Sequence, residues 1–166
     1  MIRMTESSRD GMNRLAAMCF NANAIIDNLA YSLDYHYYTN VADVVHHGVA
    51  HIMPEWADLI TNKMLELGAR PVRKDINGYE EDYEDLTRIF EKLMNTLLDI
   101  RNATRSLIES ADMDGDDEVR IFGEDFLNNQ ISKFVKQADE WLEASKKLTP
   151  IDMNIHIKDY THFIAL

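Results

Sequence analysis

The chain has 166 residues, 46% of them hydrophobic, with only three prolines and six glycines. That is enough apolar material for one core but short for two, and so few turn formers exclude a β-sandwich, which needs a turn signal roughly every 8–12 residues. Lys and Arg number 17 against 29 Asp and Glu, and the resulting formal charge of −12 repels phosphate backbones, so DNA binding is not expected.

From about Ser7 to Tyr37, residues Met12, Leu15, Cys19, Ala22, Ile26, Leu29, Leu33 and His36 follow the three-four spacing of one helical stripe. His36 ends an otherwise apolar stripe and therefore needs a polar partner. Cys19 is the single cysteine, so no internal disulfide can form; with no leader-like N-terminal pattern, a reducing cytoplasm is the expected location. No run of about 18 apolar residues marks a membrane span.

A second helix is expected from an N-cap at Thr39 or Asn40, with Asp43 at a capping-box position, to Leu67, where Gly68 and Pro71 stop it. Pro54 lies inside it and predicts a kink, or a carbonyl bonded to water, one turn earlier. At about 100° per residue, Val45, Val49, Ile52, Trp56, Ile60 and Leu67 share one side, and Asp43, His47, His51, Asp58 and Asn62 gather on another. Imidazole and carboxylate one turn apart can reach a common cation, and mixed nitrogen and oxygen donors suit iron, manganese or zinc. His46, beside His47, concentrates imidazoles further. A solvated polar face is the plainer account of the same pattern.

After the polar stretch Arg70 to Gly78, a third helix carries Leu86, Phe90, Leu93, Leu97, Ile100, Thr104, Leu107 and Ala111. The acidic turn Asp112 to Glu118 separates it from a fourth, with Val119, Phe122, Phe126, Phe134, Ala138, Trp141 and Leu142. Helices of about 30 residues make rods of roughly 45 Å, the proportions of a long bundle. The longer link between the second and third helices allows a crossover. Extended, Gly68 to Gly78 reaches at most roughly 36 Å, so part of Tyr79 to Asp85 is expected to belong to it. The acidic turn is no EF-hand, because Asp117 stands where a glycine is required and Gly123 where a glutamate is. The final segment alternates Ile151, Met153, Ile155 and Ile157 with polar residues and predicts an extended C-terminal arm over 148–166, beside a helical bundle over about 7–147, all in one domain.

The stretches YHYYTN and EWADLITNKMLELGARPV resemble the corresponding parts of the ferritin superfamily, and the resemblance spans roughly Leu15 to Leu142. It implies an all-α, ferritin-like four-helix bundle with a crossover between the second and third helices. Classical ferritins and bacterioferritins carry Glu-x-x-His where this chain has Met53-Pro54-Glu55-Trp56, and the fourth helix has no histidine, so their di-iron centre within one subunit is not expected. The Dps mini-ferritins are a better match, with an iron site between subunits built from a histidine late in the first helix and residues of the second. Their second helix carries His-x-x-x-Asp and then Asp-x-x-x-Glu. Aligned from Leu67-Gly68, this chain supplies Asp43 and His47, then Asp58 and Asn62; anchored on YHYYTN, it supplies His47 and His51, with Asn62 and Glu66. Both registers keep His36, His47 and Asn62.

Such a site implies ferrous iron oxidised by peroxide or oxygen, a ferroxidase activity, and ferric iron stored in a cage of twelve subunits. In mini-ferritins the start of the fourth helix lines iron-admitting pores, which assigns Asp116, Asp117, Glu124 and Asp125 to a cation funnel. Arg3 and Arg9, balanced by Glu6 and Asp10, do not make the lysine-rich tail that binds DNA in this family. Asn62 in place of a glutamate is a weaker ligand, so an assembly protein of the same fold with a degenerate or vacant metal site is the alternative. Another carboxylate-bridged di-metal enzyme would need the missing Glu-x-x-His motifs.

Overall fold

A computed structural model describes residues 1–166. Helix α1 spans Glu6–Tyr35, capped by the Thr5 side chain, which accepts from the Ser8 amide. All seven apolar members of its stripe are buried. After a reversal at Tyr37 (φ 69°), α2 runs as Thr39–Val45, a π-turn over His46–Ala50, and Ile52–Glu66. Helix α3 spans Leu86–Asp114, and α4 runs as Asp117–Phe126, a second π-turn Leu127–Ile131, and Ser132–Lys147. Gly68 is obligatory at the end of α2: its φ is +80°, and a Cβ there would stand 2.3 Å from the Met1 carbonyl oxygen.

The crossover is fixed by a polar ladder along α1. Asn13 Oδ1 accepts from the Val72 amide at 2.9 Å, Asn21 Oδ1 from the Asn77 amide at 2.8 Å, and Asn28 Nδ2 donates to the Glu81 carbonyl at 2.6 Å. His36 Nε2 then meets the Asp82 carboxylate at 3.1 Å. Successive rungs climb both segments in the same sense, so the link runs parallel to α1 from its beginning to its end. Since α2 returns antiparallel to α1, α3 must start at the end where α2 starts and run parallel to it. Bonds at the opposite end, between Ser7 and Ser110 and from the Thr5 amide to Asp116, agree. The entire stretch Tyr79 to Asp85 belongs to the crossover, with Asp85 capping α3 through the Thr87 amide.

At mid-bundle, Trp56 is 1% exposed and packs edge-on against Phe126 and Phe134, with ring centroids 5.4 and 5.1 Å away. Phe90 of α3 meets Trp141, further along α4. Met53 is also fully buried, so large apolar groups fill the space between the rods.

Three local expectations are corrected. The C-terminal segment is not an extended arm: Pro150–His156 is a helix, α5, followed by a 3₁₀ turn Ile157–Tyr160. Thr149 caps it by accepting from the Asp152 amide, and Pro150 sits in its first turn, where no N–H is needed. A period-two series of four also contains two pairs four residues apart, which is how the fold uses it: Met153 and Ile157 are buried, Ile151 and Ile155 exposed. Trp141 Nε1 donates to Thr161, Gln137 Nε2 to the Tyr160 carbonyl, and the Phe163 amide to Gln137, tying the segment to α4. Secondly, neither Thr39 nor Asn40 caps α2 with its side chain. Asn154 of α5 does so instead, its Oδ1 accepting from the amides of Asn40 and Val41 at 3.0 and 3.1 Å. Thirdly, the carbonyl that Pro54 leaves without a helical donor belongs to Ala50, and it is satisfied by Asn23 Nδ2 at 2.9 Å rather than by water.

Candidate metal centre

The π-turn one turn before Pro54 is what assembles the histidines. The His51 amide donates to the carbonyl of His46, five residues back, at 3.1 Å. The extra residue in this turn brings His46 directly beneath His51, whereas a regular helix would leave only His47 there. The three rings form a triangle with centroid separations of 4.6 Å (His46 to His47), 4.3 Å (His46 to His51) and 5.0 Å (His47 to His51). One ring nitrogen from each lies within 4.8 Å of the others. Val44, Val45, Val49 and Ala50 anchor the opposite side of the turn in the core. His47 and His51 are exposed, His46 half-buried.

Two carboxylates attend the triangle. Asp27 of α1 places Oδ1 3.0 Å from His46 Nδ1, and Asp43, one turn before His47, lies 3.5 Å from its Nε2. The Asp27 contact is close enough for an ion pair, yet Oδ1 is buried and makes no aligned hydrogen bond in the chain. Tyr31 covers the flank of His46, with ring centroids 6.4 Å apart.

The remaining expected ligands lie apart from this triangle within one chain. His36, at the end of α1, pairs with Asp82 and supplies the partner that its place on the core stripe requires. Asp58 lines a surface groove of about 360 Å³ with Phe20, Arg73 and Lys74, where Arg73 stacks on the Phe20 ring at 3.6 Å. Asn62 and Glu66 are exposed further along α2. At the start of α4, Asp116 is buried and accepts from the Thr5 amide at 2.9 Å. Arg120 lies 3.8 Å from Asp117 and 3.1 Å from Glu124, so a cation already occupies that acidic cluster; Asp125 is exposed.

His46 and Asp27 complete the triangle but fall outside the polar face drawn at 100° per residue. The π-turn resets the helical phase, and Asp27 enters from another helix. A signal existed: Asn23 and Asp27, four apart on α1, are polar residues beside the apolar stripe.

The interior offers no alternative centre. Its buried polar residues are Ser8, Asn13, Ser32, Thr96, Thr104, Asp116, Gln137 and Thr161, and the one carboxylate among them sits at the turn before α4. A family model for the ferritin-like domain matches residues 9–148. The chain belongs to the ferritin-like domain family. A comparison with curated proteins finds no match. Met53 and Trp56, which stand where the resemblance to classical ferritins puts Glu-x-x-His, are both buried in the apolar core. No helix is long and apolar enough to cross a membrane.

Proposed function

We propose that this ferritin-like chain is a mini-ferritin of the Dps type, which oxidises ferrous iron at a site shared between two subunits and stores the ferric product in a cage, most simply of twelve copies. The observation that carries this reading is the pairing of an apolar interior with an exposed face on α2 that holds His47, His51 and Asp43. Ligands on an outer face leave part of an iron ion's coordination sphere open for a second chain to fill, which is the mini-ferritin arrangement. Neutral imidazoles of His47 and His51 and the carboxylate of Asp43 are suitable donors for ferrous iron, and Asp43 also favours the ferric product. His36, Asp58 and Asn62 are assigned to the complementary side. Two ferrous ions give one electron each to a peroxide, whose O–O bond breaks and which takes up two protons to leave as two waters. Asp125 and the outer edges of Asp117 and Glu124 are the acidic groups available to a pore once copies assemble.

The alternative, an assembly protein of the same fold with a degenerate site, is favoured by one feature: Asp58 shares its groove with Arg73 and Lys74, and Asn62 has no charge to offer. Solution mass followed by ferrous oxidation assays decides between them. A cage with rapid oxidation that His47→Ala slows at least tenfold supports the iron store. A cage in which wild type and His47→Ala oxidise iron equally supports the degenerate site, and a monomer or dimer overturns storage.

A further inference from the structure

The triangle His46, His47 and His51 comes from one chain and differs from both sets of ligands expected between subunits. We propose that it is a self-contained three-imidazole site for a borderline divalent cation of the zinc and copper(II) class, held in preference to ferrous iron.

The donor set argues for that class. Three neutral nitrogens bring no negative charge, and affinity for imidazole rises along the first-row divalent series from iron to copper, with zinc also well served. Geometry permits it. A tetrahedral zinc ion with Zn–N bonds of about 2.0–2.1 Å needs its nitrogens about 3.4 Å apart. The present limit is 4.8 Å. His47 is 62% exposed at its side chain and His51 is exposed too, so both can close that gap by rotamer changes while the backbone stays still.

Asp27 is the second observation that points to a ligand. A buried carboxylate oxygen without an aligned hydrogen bond is costly unless it serves a partner. At 3.0 Å from His46 Nδ1 it lies out of line for a hydrogen bond, and its unpaired negative charge beside the ring favours a cation at the triangle. His46 is half-buried, and the two exposed histidines complete the site around it. A fourth position remains open to water or to Asp43, which stands beside His47.

The test is calorimetric titration of the intact protein with Zn²⁺ in a weakly coordinating buffer. One zinc per chain is expected. His46→Ala and His51→Ala should each weaken binding by about a hundredfold, and Asp27→Asn by about tenfold. His36→Ala should leave zinc binding unchanged. Anaerobic competition with a tenfold excess of Fe²⁺ should not displace the zinc. Circular dichroism and solution mass on each variant establish that the fold and assembly persist. Zinc bound as tightly by folded His46→Ala and His51→Ala as by wild type overturns the site, as does the absence of stoichiometric zinc. Displacement by iron overturns the selectivity. His47 and His51 also serve the iron-store reading, so iron oxidation is measured on zinc-free protein, where its failure with zinc binding intact defeats that reading alone.

Discussion

Trp56 stands where the resemblance to classical ferritins puts a metal-binding histidine, and its replacement gives a quantitative test of the apolar interior. The side chain is 1% exposed and edge-packed on two phenylalanines, but its Nε1 meets no acceptor in the chain. Trp56→Ala removes the whole ring and leaves a cavity, costing about 3–5 kcal/mol, a large fraction of a typical total of about 5–15 kcal/mol. Trp56→Phe forfeits about 50 Å² of buried apolar area, or about 1.3 kcal/mol. It also removes the unmet donor, whose burial costs about 1–3 kcal/mol. The two effects oppose each other, so Trp56→Phe should lie between about 0.3 kcal/mol less stable and about 1.7 kcal/mol more stable than wild type. Urea unfolding followed by circular dichroism measures both, with unchanged slopes establishing that the midpoints report stability. If Trp56→Phe costs more than about 2 kcal/mol, the indole N–H is satisfied and the interior around it is polar.

Other perturbations probe the capping, the thiol and the crossover. Asn154→Ala removes the side-chain cap at the start of α2 and should cost about 1 kcal/mol, lowering the melting temperature by roughly 2–4 °C in a scanning calorimeter. Burial pushes the Cys19 thiol up to about 12, so a disulfide-exchange reagent at pH 8 should find no reactive thiol in the native protein and one after denaturation. Ser32 and His36 hold the Asp82 carboxyl below the ordinary carboxylate range. A depressed folded-state value contributes stability above the unfolded pKa of about 3.9, and the contribution is lost as pH falls through the folded value. Amide protection, corrected for the intrinsic exchange rate at each pH, should therefore fall in the Asn77 to Tyr83 region below about pH 4 in wild type. Asp82→Asn should show the reduced protection already at neutral pH.

Periodicity was sufficient to locate the four long helices. Every member of the α3 stripe from Leu86 to Ala111 is buried, because a 3.6-residue repeat leaves only one face that can enter a core. The crossover followed from link length and reach. Its rungs did not, since Asn13, Asn21 and Asn28 find partners some 53 to 59 residues away. The C-terminal segment was misread because four alternating apolar residues satisfy period two and the i,i+4 pairing of a helix equally well; Thr149 and Pro150 carried the deciding capping chemistry.

On the sequence alone, this chain is determined to be an acidic, all-helical bundle whose core lacks the Glu-x-x-His motif, with histidines concentrated on its second helix. Hydrophobic burial is additive along a helix and so can be read from order alone. Only the tertiary structure decided which imidazoles meet. A single extra residue in the turn at His46–Ala50 shifts the helical phase, and Asp27 reaches His46 from a separate helix. Pro54 marks where the helix is disturbed, but helical spacing at about 100° per residue carries neither the new phase nor a contact from another helix.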